Sequence, residues 1–363
     1  MLFPYVDKET PFVLSPESLD WYLSRGWYRM GGHIFTTHFL FFNDSPYSAV
    51  WIRQDLTVHT FSRSQRKLMR KNAKLFEIAT GPRVIDEERE ELYLRYADNF
   101  DGRLSPTIAE SLEDFGDSTS IFNTWETTIR DKVSGKLVGI SYFDLGDDSA
   151  ASILGIYDPL LSSFSLGYYT MLLEMDFCRS RGVDYYYPGY VVPGYKRFDY
   201  KLRLGFNEYY DLRSESWLPY NREEIDVYGP VESQQRKLKD LASLLHPEGP
   251  AGTGLYIYPL FEAKLYDPST DNYLAYPYFV PLGRDSENTL VLVTYDPSEE
   301  VFLVLHCSLV RNAMLSFKLS HLNESTESNY FTDLLQVEKL LLRGKSIEAI
   351  YGLLLQASQK ANS

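Results

Sequence analysis

Residues 150–205 read AASILGIYDPLLSSFSLGYYTMLLEMDFCRSRGVDYYYPGYVVPGYKRFDYKLRLG, and this stretch decides the fold. Ser152 to Tyr157 is an apolar, β-rich run closed by Asp158-Pro159. Leu166 to Arg181 carries apolar residues at helical spacing until Gly182 stops it. A second strand, Val183 to Tyr190, follows, and then a loop dense in tyrosine and positive charge. A strand feeding a helix that returns to a neighbouring strand makes a crevice at the carboxyl ends of the strands. The expected class is therefore α+β or α/β.

At 363 residues the chain exceeds one typical domain, and its apolar fraction of 44% supports a sizeable core. The 29 tyrosines suit half-buried sheet faces or stacking on bases, and composition does not choose between them. A formal net charge of −14 excludes a protein that coats nucleic acid unselectively, so any nucleic-acid site must be local. The two cysteines, Cys178 and Cys307, form no paired framework, as in a reducing compartment. There is neither a long apolar run nor a charged start followed by an apolar stretch, so the expectation is a cytoplasmic protein with no membrane contact.

Before the deciding stretch, Met1 to Thr10 reads as an arm and Ser15-Pro16-Glu17-Ser18 as a helix start. His33 to Phe42 with Ala49 to Ile52 reads as a small sheet. Asp86 to Asn99 is a helix with an acidic first turn, as the helix dipole prefers. Phe122 to Ile129 and Leu137 to Leu145 are strands joined by a hairpin at DKVSGK. Beyond it, Tyr209 to Asp226 is polar and acidic, Val231 to Leu245 is a helix, and Pro247 to Gly254 is a linker. Strands follow at Tyr256–Leu260, Tyr273–Val280, Leu290–Tyr295 and Val301–Cys307, then a helix over Thr332 to Lys360, interrupted near Gly344.

The segment FSRSQRKLMRKNAKLF, Phe61 to Phe76, carries Arg63, Arg66, Lys67, Arg70, Lys71 and Lys74 along one helical face with no acid among them. Like charges four residues apart cost roughly 0.2–0.5 kcal/mol per pair, so a merely solvated face would interleave acids. The stripe is read as phosphate-binding, the alternative being a solvated face paired with acids elsewhere.

There is no Walker loop, dinucleotide fingerprint, nucleophile elbow or zinc spacing. His33, His38 and His59 are too loosely spaced for a metal, and Cys178 reads as a small core residue. What remains is a helix start at Ser163 to Tyr169, whose free N–H groups suit an anion or a developing oxyanion. The loop Pro193 to Arg203 adds Lys196, Arg197, Lys201 and Arg203 interleaved with Tyr195, Phe198 and Tyr200. That pattern suits an RNA end, the alternative being a solvated strand edge.

On these residues the sequence resembles the arginyl-tRNA–protein transferase family, including the bacterial leucyltransferases that act on proteins beginning with Asp or Glu. The similarity is carried by Phe61-Ser-Arg-Ser-Gln-Arg-Lys-Leu-Met-Arg-Lys-Asn72, Tyr157-Asp-Pro159, Ser165-Leu-Gly167, Tyr187 with Gly189-Tyr190, and Tyr200-Lys201 with Arg203, in order, over about residues 15 to 215. It implies an acyltransferase fold of the acetyltransferase (GNAT) type. Residues 1–80 would form an N-terminal α+β region with the basic helix, 81–220 the catalytic domain, and 221–363 an added α+β extension of unknown role. Members of the family have cysteines in the N-terminal portion, some near the position of His38 to Tyr47, but HFLFFNDSPY has none, so no iron–sulfur cluster or other cofactor is expected. The family also tends to have a histidine where this chain reads YADNF.

The implied reaction is attack by the α-amine of an acceptor protein, one beginning with Asp or Glu, on the ester of an arginyl- or leucyl-tRNA. The ester is already activated, so no covalent nucleophile is needed. The resemblance implies catalytic roles for Tyr187, Gly189, Tyr190, Tyr200 and Lys201, and tRNA binding by Arg63, Arg66, Lys67, Arg70, Lys71 and Arg203. Substrate contacts fall to Ser165, Leu166, Gly167, Lys196 and Arg197. Charged tRNA and an acceptor N-terminus are the expected partners, DNA is not. Two other readings stay open: a silent family member that only binds tRNA or protein, and an acetyl-CoA-dependent N-acetyltransferase. The latter is disfavoured because the loop before the long helix lacks a glycine-rich pyrophosphate cradle. Which amino acid is transferred depends on pocket shape, which spacing does not reveal.

Overall fold

The computed structural model describes residues 5–100, 102, 104–113, 120–248, 253–268, 272–284, 286–311 and 329–352. Its centre is an eight-stranded mixed sheet. The strands lie in the spatial order Ser216–Pro219, Asn207–Asp211, Val50–Asp55, Tyr185–Val191, Ser149–Tyr157, Leu137–Leu145, Thr124–Asp131 and Phe76–Pro82. Ser149–Tyr157 and Tyr185–Val191 run parallel, joined by the helix Leu166–Ser180, as a parallel pair requires. They pair only from Ser149↔Tyr185 to Ala151↔Tyr187 and then part. The expected strand–helix–strand unit is thus present, with the second strand starting at Tyr185.

Side chains alternate across the strand Leu137–Leu145. Ile140 and Tyr142 pack with Leu92 and Tyr93 of the helix Glu87–Ala97, while Phe143 and Leu145 pack with Leu172 and Met175 of the long helix. The sheet is therefore covered by helices on both faces.

Several expectations need correction. Val6–Glu9 pairs with His33–Thr37, so the N-terminal segment is a strand in a three-stranded sheet rather than a free arm. The small sheet expected from His33 to Ile52 divides into three parts. His33–Thr37 joins Val6–Glu9, Phe39–Phe42 forms a hairpin with Ser45–Ser48, and Val50–Asp55 enters the large sheet. Asn43 and Asp44, with φ of 48° and 54°, make the left-handed two-residue turn that matches strand twist. The polar region around Tyr209 supplies the edge strand Ser216–Pro219 and its inner neighbour Asn207–Asp211, and Phe76–Pro82, unforeseen, supplies the opposite edge. A division at residue 80 would run through that edge strand and sever Val50–Asp55 from its neighbours.

The C-terminal part is a second sheet, in the order Tyr256–Ile257, Tyr278–Gly283, Thr289–Asp296, Val301–Leu309 and Leu335–Gly344, packed by the helix Pro230–Leu245. The part of the expected helix before Gly344 is instead the last of these strands, hydrogen-bonded along Val301–Leu309, while 347–352, after the expected interruption, is helical. The strand's long-range partner overrides a local pattern that also fits a helix. The rest of that expected helix, beyond residue 352, lies outside the described residues, as do 249–252 of the expected linker. One apolar cluster joins this sheet to the N-terminal one: Phe39 meets Phe261 edge-on with centroids 5.9 Å apart, and Tyr5 stacks on Phe39 at 4.8 Å.

Candidate active site

Where the two parallel strands part, the gap opens into a crevice of about 1070 Å³. Its floor is made by Tyr28, whose hydroxyl donates to the carbonyl of Ser152 and lies 3.1 Å from that of Tyr187, bridging the separated strands. No local pattern marks a strand tyrosine that acts on strands more than a hundred residues away.

One wall is the start of the long helix. Ser165 occupies the N-cap in the left-handed region (φ 52°) and its side chain caps nothing, and Leu166, Gly167 and Tyr168 of the uncapped first turn line the crevice. Gly167 lies against the Tyr157 ring, where an added Cβ would approach to 3.1 Å. The opposite wall is the 3-10 segment Lys196–Arg203. It brings Arg197, Phe198, Tyr200, Lys201 and Arg203 into the crevice. Arg197 sits over Phe100 at 4.4 Å, and Arg203 over Tyr168 at 4.8 Å.

Lys201 is the most unusual of these groups. Its ammonium donates to the Tyr190 carbonyl at 3.0 Å and lies near the Tyr190 and Phe198 rings. Among the described residues it has no carboxylate partner, and burial alone pushes it down to about 7. Gly189 makes room for it: its φ is +92°, and a Cβ there would stand 3.0 Å from the Lys201 nitrogen. Burial holds the Tyr190 and Tyr200 phenols up at about 12, with the Glu174 carboxylate adding to the shift at Tyr200. Both stay protonated at neutral pH. Glu174, buried in the long helix, accepts from Tyr186 at 2.6 Å, and burial pushes it up to about 7. Its signal in the sequence was an acid within the buried stripe Thr170, Met171, Glu174, Met175, Cys178.

Two expected site residues lie elsewhere. The Tyr187 ring does not line the crevice; it is buried beside Trp217, with centroids 5.4 Å apart, and only its carbonyl reaches the floor. Lys196 is exposed outside the crevice.

The basic helix spans Arg63–Leu75. Ser62 and Gln65 form a reciprocal capping box, a signature written as Ser-x-x-Gln but not singled out beforehand. The Gln65 amide nitrogen then donates to the Arg203 carbonyl (3.1 Å), the Leu204 carbonyl (2.8 Å) and Tyr168 (3.0 Å). Asn72 donates to Phe164 at 3.0 Å. These bonds dock the helix on both crevice walls and leave Arg63, Arg66, Lys67, Arg70 and Lys71 exposed. Among the described residues none of these five is paired with a carboxylate. Arg66 and Arg70 reach only backbone carbonyls, of Phe61 and Arg66, and Lys71 lies 5.0 Å from the Phe164 ring.

Burial drives His38 down to about 3, so it is neutral, and Cys178 is buried in the core. Among the described residues no three His, Cys, Asp or Glu side chains gather as a metal site.

The family model described as arginine-tRNA-protein transferase, C terminus, matches residues 88–211, which include both crevice walls. The aspartate/glutamate leucyltransferase of Ruegeria pomeroyi is 35% identical over 167 residues, covering 44% of this chain and 58% of that protein. The aspartate/glutamate leucyltransferase of Phenylobacterium zucineum is 31% identical over 175 residues, covering 47% and 67%. The chain belongs to the arginyl-tRNA–protein transferase family. It spans somewhat under three fifths of the first two curated relatives it matches, 58% and 59% of their length. A GCN5-related glucosamine N-acetyltransferase region of a fungal enzyme aligns at 16% identity and a TM-score of 0.31, over 53% of this chain and 21% of that one. No helix among the described residues is long and apolar enough to cross a membrane.

Proposed function

We propose that this protein transfers an aminoacyl group, Arg or Leu, from charged tRNA to the N-terminal amine of proteins beginning with Asp or Glu. The observation that carries the reading is the junction of a cationic stripe with a crevice that holds a buried lysine, neither having a carboxylate partner among the described residues. The amine nitrogen attacks the ester carbonyl carbon, forming the C–N bond. The C–O bond to the ribose breaks, the amine gives up a proton, and the ribose oxygen takes one.

In this reading Lys201 takes the amine proton, while the N–H groups of Leu166 and Gly167 and those near Tyr190 stabilise the carbonyl oxygen. Tyr200 orients the ester through a phenol that stays protonated, and Gly189 leaves space for the lysine. Tyr187 acts only through its carbonyl, as support for the floor. Arg197 and Arg203 hold the RNA end or the acceptor's acidic side chain, with Lys196 at the rim, and Arg63, Arg66, Lys67, Arg70 and Lys71 track the tRNA backbone. The extension, 221–363, is treated as a unit added to the transferase core.

The deciding assay incubates the protein with tRNA charged with radiolabelled Arg or Leu and peptides beginning with Asp, Glu or Ala. Label on the acidic peptides alone is expected. Binding of tRNA without label on any peptide would instead identify a silent member, and tight binding of acetyl-CoA would overturn both.

The stripe is tested separately. Arg66→Glu with Arg70→Glu is expected to weaken tRNA binding and to lower the slope of log K against log salt by about 0.9 for each phosphate no longer neutralised. An unchanged slope returns the stripe to a solvated face.

A further inference from the structure

The hairpin Phe39–Phe42/Ser45–Ser48 has two faces, because successive strand residues point to opposite sides. One face belongs to the crevice. Phe42 stacks on Tyr47 with centroids 4.2 Å apart and planes at 12°, Tyr195 meets Phe42 edge-on at 4.9 Å, and Phe42, Asn43 and Tyr195 all line the cavity. The other face belongs to the C-terminal part of the chain, where Phe39 meets Phe261 and Phe41 meets Tyr330.

Four polar contacts hold the hairpin backbone and its end from that second side. The buried Glu262 carboxylate lies by the Phe41 backbone N–H, a neighbour that favours its charged form. Phe41 pairs with Pro46 at a position where its N–H is not used within the hairpin, and Pro46 has none to offer. The Tyr330 hydroxyl donates to the carbonyl of Asp44, in the turn. Ser48 donates to Glu232 at 2.6 Å, and the Val231 N–H donates to the Ser48 oxygen at 3.0 Å. Glu232, Glu262 and Tyr330 all lie beyond residue 211, where the family match ends.

We propose that the C-terminal part of the chain, 230–352, holds this hairpin as the crevice wall on which the 3′ end of tRNA stacks, with Glu262 as the positioning residue. The wall offers ring faces beside Arg197, and bases stack on aromatic rings with little regard to sequence. The choice of tRNA as occupant rests on the function proposed above; the grip on the hairpin does not.

The test uses the full chain and two readouts that need no transfer activity: amide hydrogen exchange over residues 39–48, and equilibrium binding of deacylated tRNA. Glu262→Ala is expected to speed exchange at Phe41 and to weaken tRNA binding, each by about ten-fold, the size of one buried hydrogen bond. Glu262→Gln keeps an acceptor for the Phe41 N–H and is expected to restore most of both. Tyr330→Phe, a milder change, is expected to move both in the same direction. Unchanged exchange in both Glu262→Ala and Tyr330→Phe overturns the grip, and faster exchange with unchanged binding overturns the wall. A wild-type protein that binds tRNA but labels no peptide defeats the transferase reading and leaves this one standing.

Discussion

Lys201→Gln is expected to lower kcat for aminoacyl transfer by about 10²–10⁴-fold, the usual contribution of a positioned proton acceptor, with little change in tRNA affinity. The sign of the pH dependence separates this role from a purely electrostatic one. Burial lowers Lys201 to about 7. Below that pH the side chain is an ammonium and has no lone pair to take a proton; above it the amine is free. Lys201 is therefore expected to contribute a limb to the wild-type kcat that rises about ten-fold per pH unit on the acid side and levels off above about 7, multiplied by whatever limb the acceptor adds. A lysine that served only as a cation would give the opposite, a rate that falls as pH rises through the same region. The acceptor's own α-amine, with a free pKa of about 8, also loses activity on the acid side. Lys201→Gln should leave that single limb, and Lys201→Arg, charged throughout, should be as slow as the glutamine variant. A rate within about three-fold of wild type, or a profile that keeps its limb near 7 in either variant, removes Lys201 from the proton-transfer step.

The parts of this site that were legible in the sequence are those written locally. The long helix and its start at Ser165, the basic stripe, and the loop of alternating rings and cations each occupy a contiguous segment. Each therefore carries its own periodicity. The chemistry between segments was not written that way. Tyr187 and Tyr190 share one strand with a bulge between Tyr186 and Gly189, and the Tyr187 ring packs on Trp217 while Tyr190 lines the crevice. Strand alternation can be counted from sequence only until a bulge interrupts it. Tyr28 and the hairpin 39–48 reach the site through pairings far along the chain, and the strand Leu335–Gly344 exists because Val301–Leu309 is there to pair with it. The two parallel strands could be read, but their separation after Ala151, which makes the crevice, could not.

The residue that ties this crevice to the protein's stability is Arg29, which lines it and is itself buried. Its guanidinium donates to Asp144 and to Thr124, each at 2.8 Å, to the Gly31 carbonyl at 2.7 Å, and to the carbonyl of Leu112. Side-chain exposure across the ion pair is 1% and 0%, so water screens neither partner. One guanidinium thus fastens the strand Tyr28–Met30 to the sheet and to the helix Ile108–Glu113. Asp144→Ala is expected to cost about 3–5 kcal/mol, because it strands a charge in the interior with only neutral acceptors left. Arginine cannot escape by losing its proton, as a buried lysine does. Replacing both partners, Arg29→Met with Asp144→Leu, removes the charge together with its counter-ion and is expected to recover most of that loss, or to exceed wild-type stability by about 1–4 kcal/mol. The comparison is made on denaturant midpoints of wild type, Asp144→Ala and the double variant. If Asp144→Ala costs under about 1 kcal/mol, the pair is not the tie it is drawn to be. The double variant also separates stability from function. It should fold and bind tRNA through the stripe, yet transfer more slowly, since the loss of Arg29 loosens Tyr28, the neighbouring residue that bridges the crevice floor.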